Sequence, residues 1–310
     1  MLAIRDCRGI RATCVRLVCS RMAVRSDSRR LTAPHTFVLK RFARRPLSAL
    51  ATLALLIWAV TSVAAPWVAP YDPIAQDISN RLTSPSAAHL FGTDELGRDV
   101  LSRILYGGRI SVPAGFAVVA ISGAIGTTLG AIAGYWYRWL DDILMRLTDF
   151  FFAFPPIILA LAIGAAFGPA LYRSVVALVI VWWPQYARMS RGMVRVLKKR
   201  EFVEAAYAMG ATDWRILMKT IVPNAIRPIF VMGVLDLSNG IVAVAIFSFL
   251  GLGVQPPTPE WGAMIASGVA LMDKWWVSLF PGLAMVFVIM ALNLLGDDMR
   301  DVLDPQSSRR

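Results

Sequence analysis

The sequence predicts an all-α polytopic membrane protein with six transmembrane helices. Three observations carry that expectation. Of its 310 residues, 57% are hydrophobic and only 17% charged, where soluble domains run nearer half and a quarter. The apolar residues gather into six blocks free of Asp, Glu, Lys and Arg. The basic residues are spread unevenly over the segments between those blocks.

The blocks are Pro46–Tyr71, Ile110–Tyr137, Phe150–Tyr172, Ser174–Ala187, Leu237–Pro259 and Trp275–Gly296. About 20 apolar residues cross a bilayer core as a helix, so five blocks suffice alone. The fourth is short and WWPQ interrupts it at Pro184. It reads as a full span that borrows residues beyond Arg188, with a re-entrant segment as the alternative. Segments on the N-terminal side of the membrane then hold 26 of the 32 Lys and Arg residues. By the positive-inside rule, both termini are cytoplasmic. The net charge of +12 needs no nucleic acid to explain it. Trp67, Tyr71, Trp136, Tyr137, Trp139, Trp275 and Trp276 near the block ends suit interfacial belts.

Residues 1–45 form a basic cytoplasmic arm, expected to be partly disordered. It is too poor in apolar residues for a secretory signal. Met22 is an alternative start to Met1. Cys7, Cys14 and Cys19 match no zinc spacing and read as free thiols. Residues 46–305 form the membrane domain, with an outer loop at 72–109, and 306–310 are a cytoplasmic tail. In the outer loop Leu101, Ile104 and Leu105 predict a short surface helix. Asp99 caps it and Gly107–Gly108 end it. Between the second and third spans, Leu140, Leu144 and Leu147 predict a helix whose polar side carries Asp141, Asp142, Arg146 and Asp149. Pro155 and Pro156 lie where it enters the third span.

The segment 188–228 is a charged island between apolar blocks. Phe202, Ala205, Ala206 and Met209 follow amphipathic-helix spacing. Gly210 suits the left-handed position that stops a helix. Thr212 is expected to cap a second helix with stripe Trp214, Leu217, Met218 and Ile221, and Pro223 and Pro228 to close the unit before the fifth span. A helix–turn–helix with two apolar faces can pack one on its own bundle and offer the other to a soluble partner. An ordered loop, a helix lying on lipid headgroups and a DNA reader are the other readings. The last suits a unit tethered at both ends to the membrane poorly.

The island resembles the EAA loop of permease subunits in bacterial ATP-binding-cassette (ABC) importers, whose pattern is E-A-A, three residues, G, nine residues, I, one residue, L-P. Glu204, Ala205, Ala206, Gly210 and Pro223 match it, and Thr220 and Val222 depart from it. FGTDELGRDVLSRILYGGRIS, DDILMRLTDFFFAFPP and GDDMRDVLDP are similar to the dipeptide, oligopeptide and nickel branch, and to the second of its two paired permeases. The resemblance covers about residues 40 to 305. It implies the type I importer fold, a heterodimer with a second permease, two ABC ATPase subunits and an external substrate-binding protein. It also implies that the first island helix is the coupling helix, with Glu204, Ala205, Ala206, Gly210 and Pro223 in the ATPase contact.

No phosphate-binding G-x-x-x-x-G-K-[ST] loop is present, so no cofactor is expected on this chain, and ATP and Mg are expected on the partners. No catalytic pair and no metal cluster is evident, since His35 and His89 fall on opposite sides of the membrane. A secondary transporter would call for several buried charges, yet only Asp236 qualifies. A membrane enzyme would lack the residues to run it. Asp236 with Asn239 either lines a translocation path or is structural near the inner interface. The substrate, whether dipeptide, oligopeptide, glutathione-like solute or nickel complex, is not legible.

Overall fold

The computed structural model describes residues 46–136 and 138–303. The basic arm, its cysteines, the choice between Met1 and Met22, Tyr137 and residues 304–310 lie outside the described residues. The described residues are helical, without a strand. We label the helices α1 (Pro46–Val63), α2 (Ala65–Val68), α3 (Val100–Tyr135), α4 (Arg138–Phe152), α5 (Pro156–Phe167), α6 (Leu171–Lys198), α7 (Glu201–Ala208), α8 (Asp213–Ile216), α9 (Val222–Phe249), α10 (Trp261–Val269) and α11 (Trp276–Leu303).

All six apolar blocks fall on helices in the expected order. α3, the stretch from α8 through α9, and α11 are long and apolar enough to cross a membrane; α4 and α5 add one more if counted as a single bent span. α6 is continuous through Pro184 for 28 residues, about 42 Å at 1.5 Å per residue. The third block differs from expectation. α4 and α5 meet at 90°, so α4 turns sharply at residues 153–155 instead of feeding straight into the span. Pro155 takes the extended N-cap position of α5, and proline cannot donate the backbone bonds that would carry a helix through.

The surface helix expected after Asp99 is the first part of α3. Asp99 caps it as predicted, accepting from Ser102 N at 2.8 Å. Gly107 and Gly108 do not end it. A Cβ on Gly107 would lie 3.0 Å from the Trp261 ring, and one on Gly108 would lie 3.0 Å from Trp261, Trp58 and Ser62. The glycines admit a fully buried indole whose Nε1 donates to Ile104 O at 3.0 Å. Glu260, also fully buried, caps α10 through Ala263 N at 2.9 Å and accepts from Ser111 Oγ at 2.8 Å.

The core sits where α3 crosses α6 and α9. Gly126, Gly130 and Gly134 recur every fourth residue on α3, facing Trp183, Ala187 and Arg191 at the same interval on α6. A Cβ on Gly126 or Gly130 would collide with a backbone carbonyl of α6, and one on Gly134 would stand 2.9 Å from Arg191 O. The helices therefore touch backbone to backbone, the small-residue packing that membrane helices use in the absence of a hydrophobic drive. Gly115 on α3 and Gly240 on α9 make the second such crossing.

Segment 72–99, read from sequence as a loop with turns, is an ordered cap on α3. Asp94, Arg98 and Arg103 are all buried. Arg98 Nε donates to Asp94 Oδ2 at 2.7 Å, and Arg103 Nη1 donates to Pro73 O at 2.9 Å. At the rim Asp77 accepts from Ser79 and Asn80, which hold its carboxyl below the usual carboxylate range. The belt expectation fits Trp67, Trp139 and Trp275, which are exposed. It fails for Trp276, which is buried and donates Nε1 to Thr93 O at 3.2 Å. Trp136 is half-buried and stacks on Trp214, while Tyr71 is exposed and also packs on His89.

Asp141 corrects a further expectation. It is buried rather than on the polar side of α4, and it pairs with Arg191 and Arg195 of α6. Leu144 is buried beside it while Leu147 is exposed. The bend at 153–155 lays α4 along α6, which turns Asp141 inward.

Candidate functional site: the helical island and an adjoining cavity

The island is two helices around a glycine, as its residues predict. Gly210 has φ +79°, the left-handed conformation in which a Cβ is strained. Thr212 occupies the N-cap of α8 in extended conformation, but its side chain makes no capping bond. Asp213, in the first turn of α8, makes the polar contacts instead.

The apolar faces differ in detail from the sequence stripes. On α7, Val203 and Ala206 are buried against Ala131, Tyr135, Val194, Ile216, Leu217 and Ile221. Phe202, Ala205 and Met209 point away, and Met209 is 81% exposed. The predicted stripe thus splits, with only Ala206 inward. Around α8, Ile216, Leu217 and Ile221 are buried while Trp214 and Met218 are exposed. The reason is a π-helical turn at Leu217–Ile221, which widens the helix and shifts which side chains face the bundle. Pro223 follows that turn at the start of α9, and Pro228 lies inside α9. Neither proline closes the unit, so α8, the π turn and α9 run on as one apolar stretch, Asp213–Phe249.

The island is also tied to α3. The Tyr135 and Tyr207 hydroxyls lie 2.9 Å and 2.7 Å from Asp213 Oδ1 and 2.7 Å from each other. Lys198 Nζ donates to Tyr135 O at 2.6 Å. The Tyr135 contact pulls the Tyr207 phenol down, but partial burial and the Asp213 carboxylate push it up and prevail, so it titrates above its ordinary value. Sequence reasoning missed this brace because Tyr135 is remote in the chain. The one available signal was Tyr207, a polar aromatic six residues before Asp213. Tyr207→Phe should lower stability by about 1 kcal/mol, the net worth of one hydrogen bond. The check is the thermal unfolding midpoint of purified protein in detergent, and no change would make the brace incidental.

Glu204, Ala205 and Gly210 are exposed on the outward side of the island, Ala206 is inward and Pro223 sits at the α9 start. Pro223 is exposed as well, at the start of the next long helix.

Asp236 and Asn239 lie deeper, on α9. Asp236 Oδ2 accepts from Trp182 Nε1 at 3.0 Å, Gln185 Nε2 at 2.6 Å and Tyr186 OH at 3.0 Å, all on α6. Asn239 Nδ2 donates to Oδ1 at 3.0 Å. The carboxylate therefore has four neutral donors and no cation among the described residues. Both side chains line a cavity of about 740 Å³ between α6, α9 and the end of α11.

The profile of a family described as binding-protein-dependent transport system inner membrane component matches residues 126–309. A second, the N-terminal TM domain of oligopeptide transport permease C, matches residues 37–85. Among curated proteins, the chain is 40% identical over 263 residues to one of Escherichia coli (strain K12) named "Probable D,D-dipeptide transport system permease protein DdpC", covering 84% of this chain and 88% of that protein. It is 43% identical over 269 residues to the glutathione transport system permease protein GsiD of Escherichia coli O6:K15:H31, covering 86% and 89%. Among solved structures it resembles an inward-facing form of the MetNI methionine ABC transporter, with a TM-score of 0.54 and 19% identity over 64% of this chain and 96% of that one. That likeness speaks to the fold alone.

Proposed function

The chain belongs to the binding-protein-dependent transport family, as one of its inner-membrane permease components, and from that premise we propose how it is assembled, oriented and driven. It pairs with an unlike second permease, sits on two ABC ATPase subunits and receives its solute from an external binding protein. The N-terminus, the island and the C-terminus face the cytoplasm, in keeping with the 26 basic residues on that side. The cargo is a di- or oligopeptide or a related small solute such as a glutathione-like molecule, the class to which the names of its relatives point.

One observation carries the coupling role. The island is fixed to its own bundle on one side through Val203 and Ala206, while Phe202, Ala205 and Met209 stand exposed on the other. A connector gains nothing from such a face, and a helix seated in an ATPase cleft requires one. Ala205 permits close approach, and Gly210 permits the turn that aims α7. Glu204, on the exposed side, supplies a polar contact to the ATPase. ATP and Mg act on the ATPase subunits, which displace α7, and the bundle opens alternately to each side as a rigid-body switch.

Asp236 and Asn239 line the path that the solute takes. They belong to a cavity, and an acid among membrane helices is kept at a cost that a transport role explains. Affinity purification of the tagged chain from native membranes tests the assembly. It should carry an ABC ATPase at a stoichiometry of about two per permease pair. A chain that arrives with no ATPase overturns the proposal.

A further inference from the structure

The cavity beside α9 has two poles. At one stands Asp236, partly buried, with Asn239 beside it. At the other stand Arg227 and Arg300 with Asn224. Neither arginine has an ion-pair partner among the described residues, and both are exposed. Apolar side chains such as Met232 line the space between.

We propose that this cavity binds peptides by their two free termini, the ammonium group at Asp236 and the carboxylate at Arg227 and Arg300. The proposal rests on the peptide cargo argued above and adds the site and the selection rule. Three features of the geometry support it.

The first is the state of Asp236. A carboxylate offers about four acceptor positions, two on each oxygen. Three donors crowd onto Oδ2, whereas Oδ1 takes only Asn239. The donors hold the group in place, and Oδ1 keeps an acceptor position that none of them fills. Every donor is neutral, so the negative charge is solvated but not cancelled. An ammonium group supplies the missing cation.

The second is the opposite pole. Arginine presents a planar fork that matches a carboxylate with two parallel hydrogen bonds. Two arginines without an ion-pair partner and an acid without a cation, among the described residues, form a field that a zwitterion neutralises at both ends.

The third is length. Asp236 and Arg227 are nine residues apart on α9, about 14 Å along a helix. An extended chain covers about 3.3–3.6 Å per residue, so a tetrapeptide bridges the poles, and the flexible arginine side chains close the gap to shorter peptides. A volume of about 740 Å³ falls within the usual range for small-molecule sites, about 300–1,000 Å³. Contacts to the termini leave side-chain identity largely unread.

The test is equilibrium binding of radiolabelled trialanine to the nucleotide-free complex of both permeases and the ATPases in lipid nanodiscs, without the binding protein. Saturable binding is expected. Asp236→Asn should weaken it about tenfold or more, the scale of a charge-assisted hydrogen bond. N-acetyl-trialanine should compete about tenfold less well than trialanine on the wild type, and lose that handicap on Asp236→Asn. Trialanine amide should show the same pattern with the Arg227→Gln, Arg300→Gln double variant. The arginines are exposed, so this arm stands even if Asp236→Asn fails to assemble.

Absence of saturable binding to the wild type, or binding unchanged in the variants, overturns the proposal and leaves the cavity to a zwitterionic lipid headgroup. A complex that assembles with its ATPase and imports peptide, yet binds none here, sinks this inference alone. A chain that brings no ATPase sinks the reading beneath it.

Discussion

Replacing Gly130 by valine should abolish accumulation of the folded protein. A Cβ at this position collides with the Ala187 carbonyl of α6. Side-chain clashes relax by changing rotamer, but a clash with backbone relaxes only if two helices separate. Overpacking of an ordinary core costs about 1–3 kcal/mol. Here the separation would propagate to Gly126 and Gly134, which sit on the same ridge, so the cost should exceed about 3 kcal/mol. Against a total stability of about 5–15 kcal/mol, few chains would remain native. The check is the yield of monodisperse protein in size-exclusion chromatography. Gly123→Val on the same helix is the control. A Cβ there would meet nothing closer than 3.7 Å, and the yield should be close to wild type. Equal yields for the two would show that the ridge is not in backbone contact.

The second large effect concerns transport with folding intact. Met209→Glu, combined with Glu204→Arg, should cut uptake by about a hundredfold or more and strip the ATPase from the purified complex. Both side chains are exposed, Glu204 on α7 and Met209 at its C-cap, and neither supports the buried cluster of Val203, Ala206 and Ile216. Their loss should leave the thermal midpoint within the range of ordinary surface substitutions, about 0.5 kcal/mol. At an interface, by contrast, burying an unpaired charge and reversing another costs several kcal/mol. Normal uptake together with normal ATPase recovery would remove the island from the coupling role.

What could be read from the sequence depended on how local its cause was. The helical runs, the Asp99 cap and the left-handed Gly210 follow from residues within a turn of one another, and these readings agree with the structure. Gly107 and Gly108 were misread because glycine signals two opposite things, a stop and a close approach. The choice between them lies in Trp261, about 150 residues away. The same is true of Asp141, whose partners Arg191 and Arg195 arrive only when α4 folds along α6. The stretch GTDELGRD falls in the segment read as a loop with turns, yet its Asp94 and Arg98 are buried.

The sequence predicts one apolar stripe on each island helix, and the structure buries only part of each: Ala206 of the first, Leu217 and Ile221 of the second. Periodicity fixes relative positions and not absolute orientation, and the π turn at Leu217–Ile221 changes the period midway. The ridge Gly126, Gly130, Gly134 was legible in principle, since small residues every fourth position mark helix contact in membranes. Asp236 stood out as an acid within a span, but its four donors come largely from α6 and carry no sequence signature.

The glycine ridge has a mechanical corollary. Two rods in carbonyl-to-carbon contact along three successive turns cannot slide or splay by small increments, because any relative travel meets the next carbonyl. α3 and α6 must therefore swing as a single plank, carrying the tyrosine-braced island with them. The joints that let a pore gape are left to the seams without such contact: the right-angled elbow between α4 and α5 and the glycine turn at Gly168.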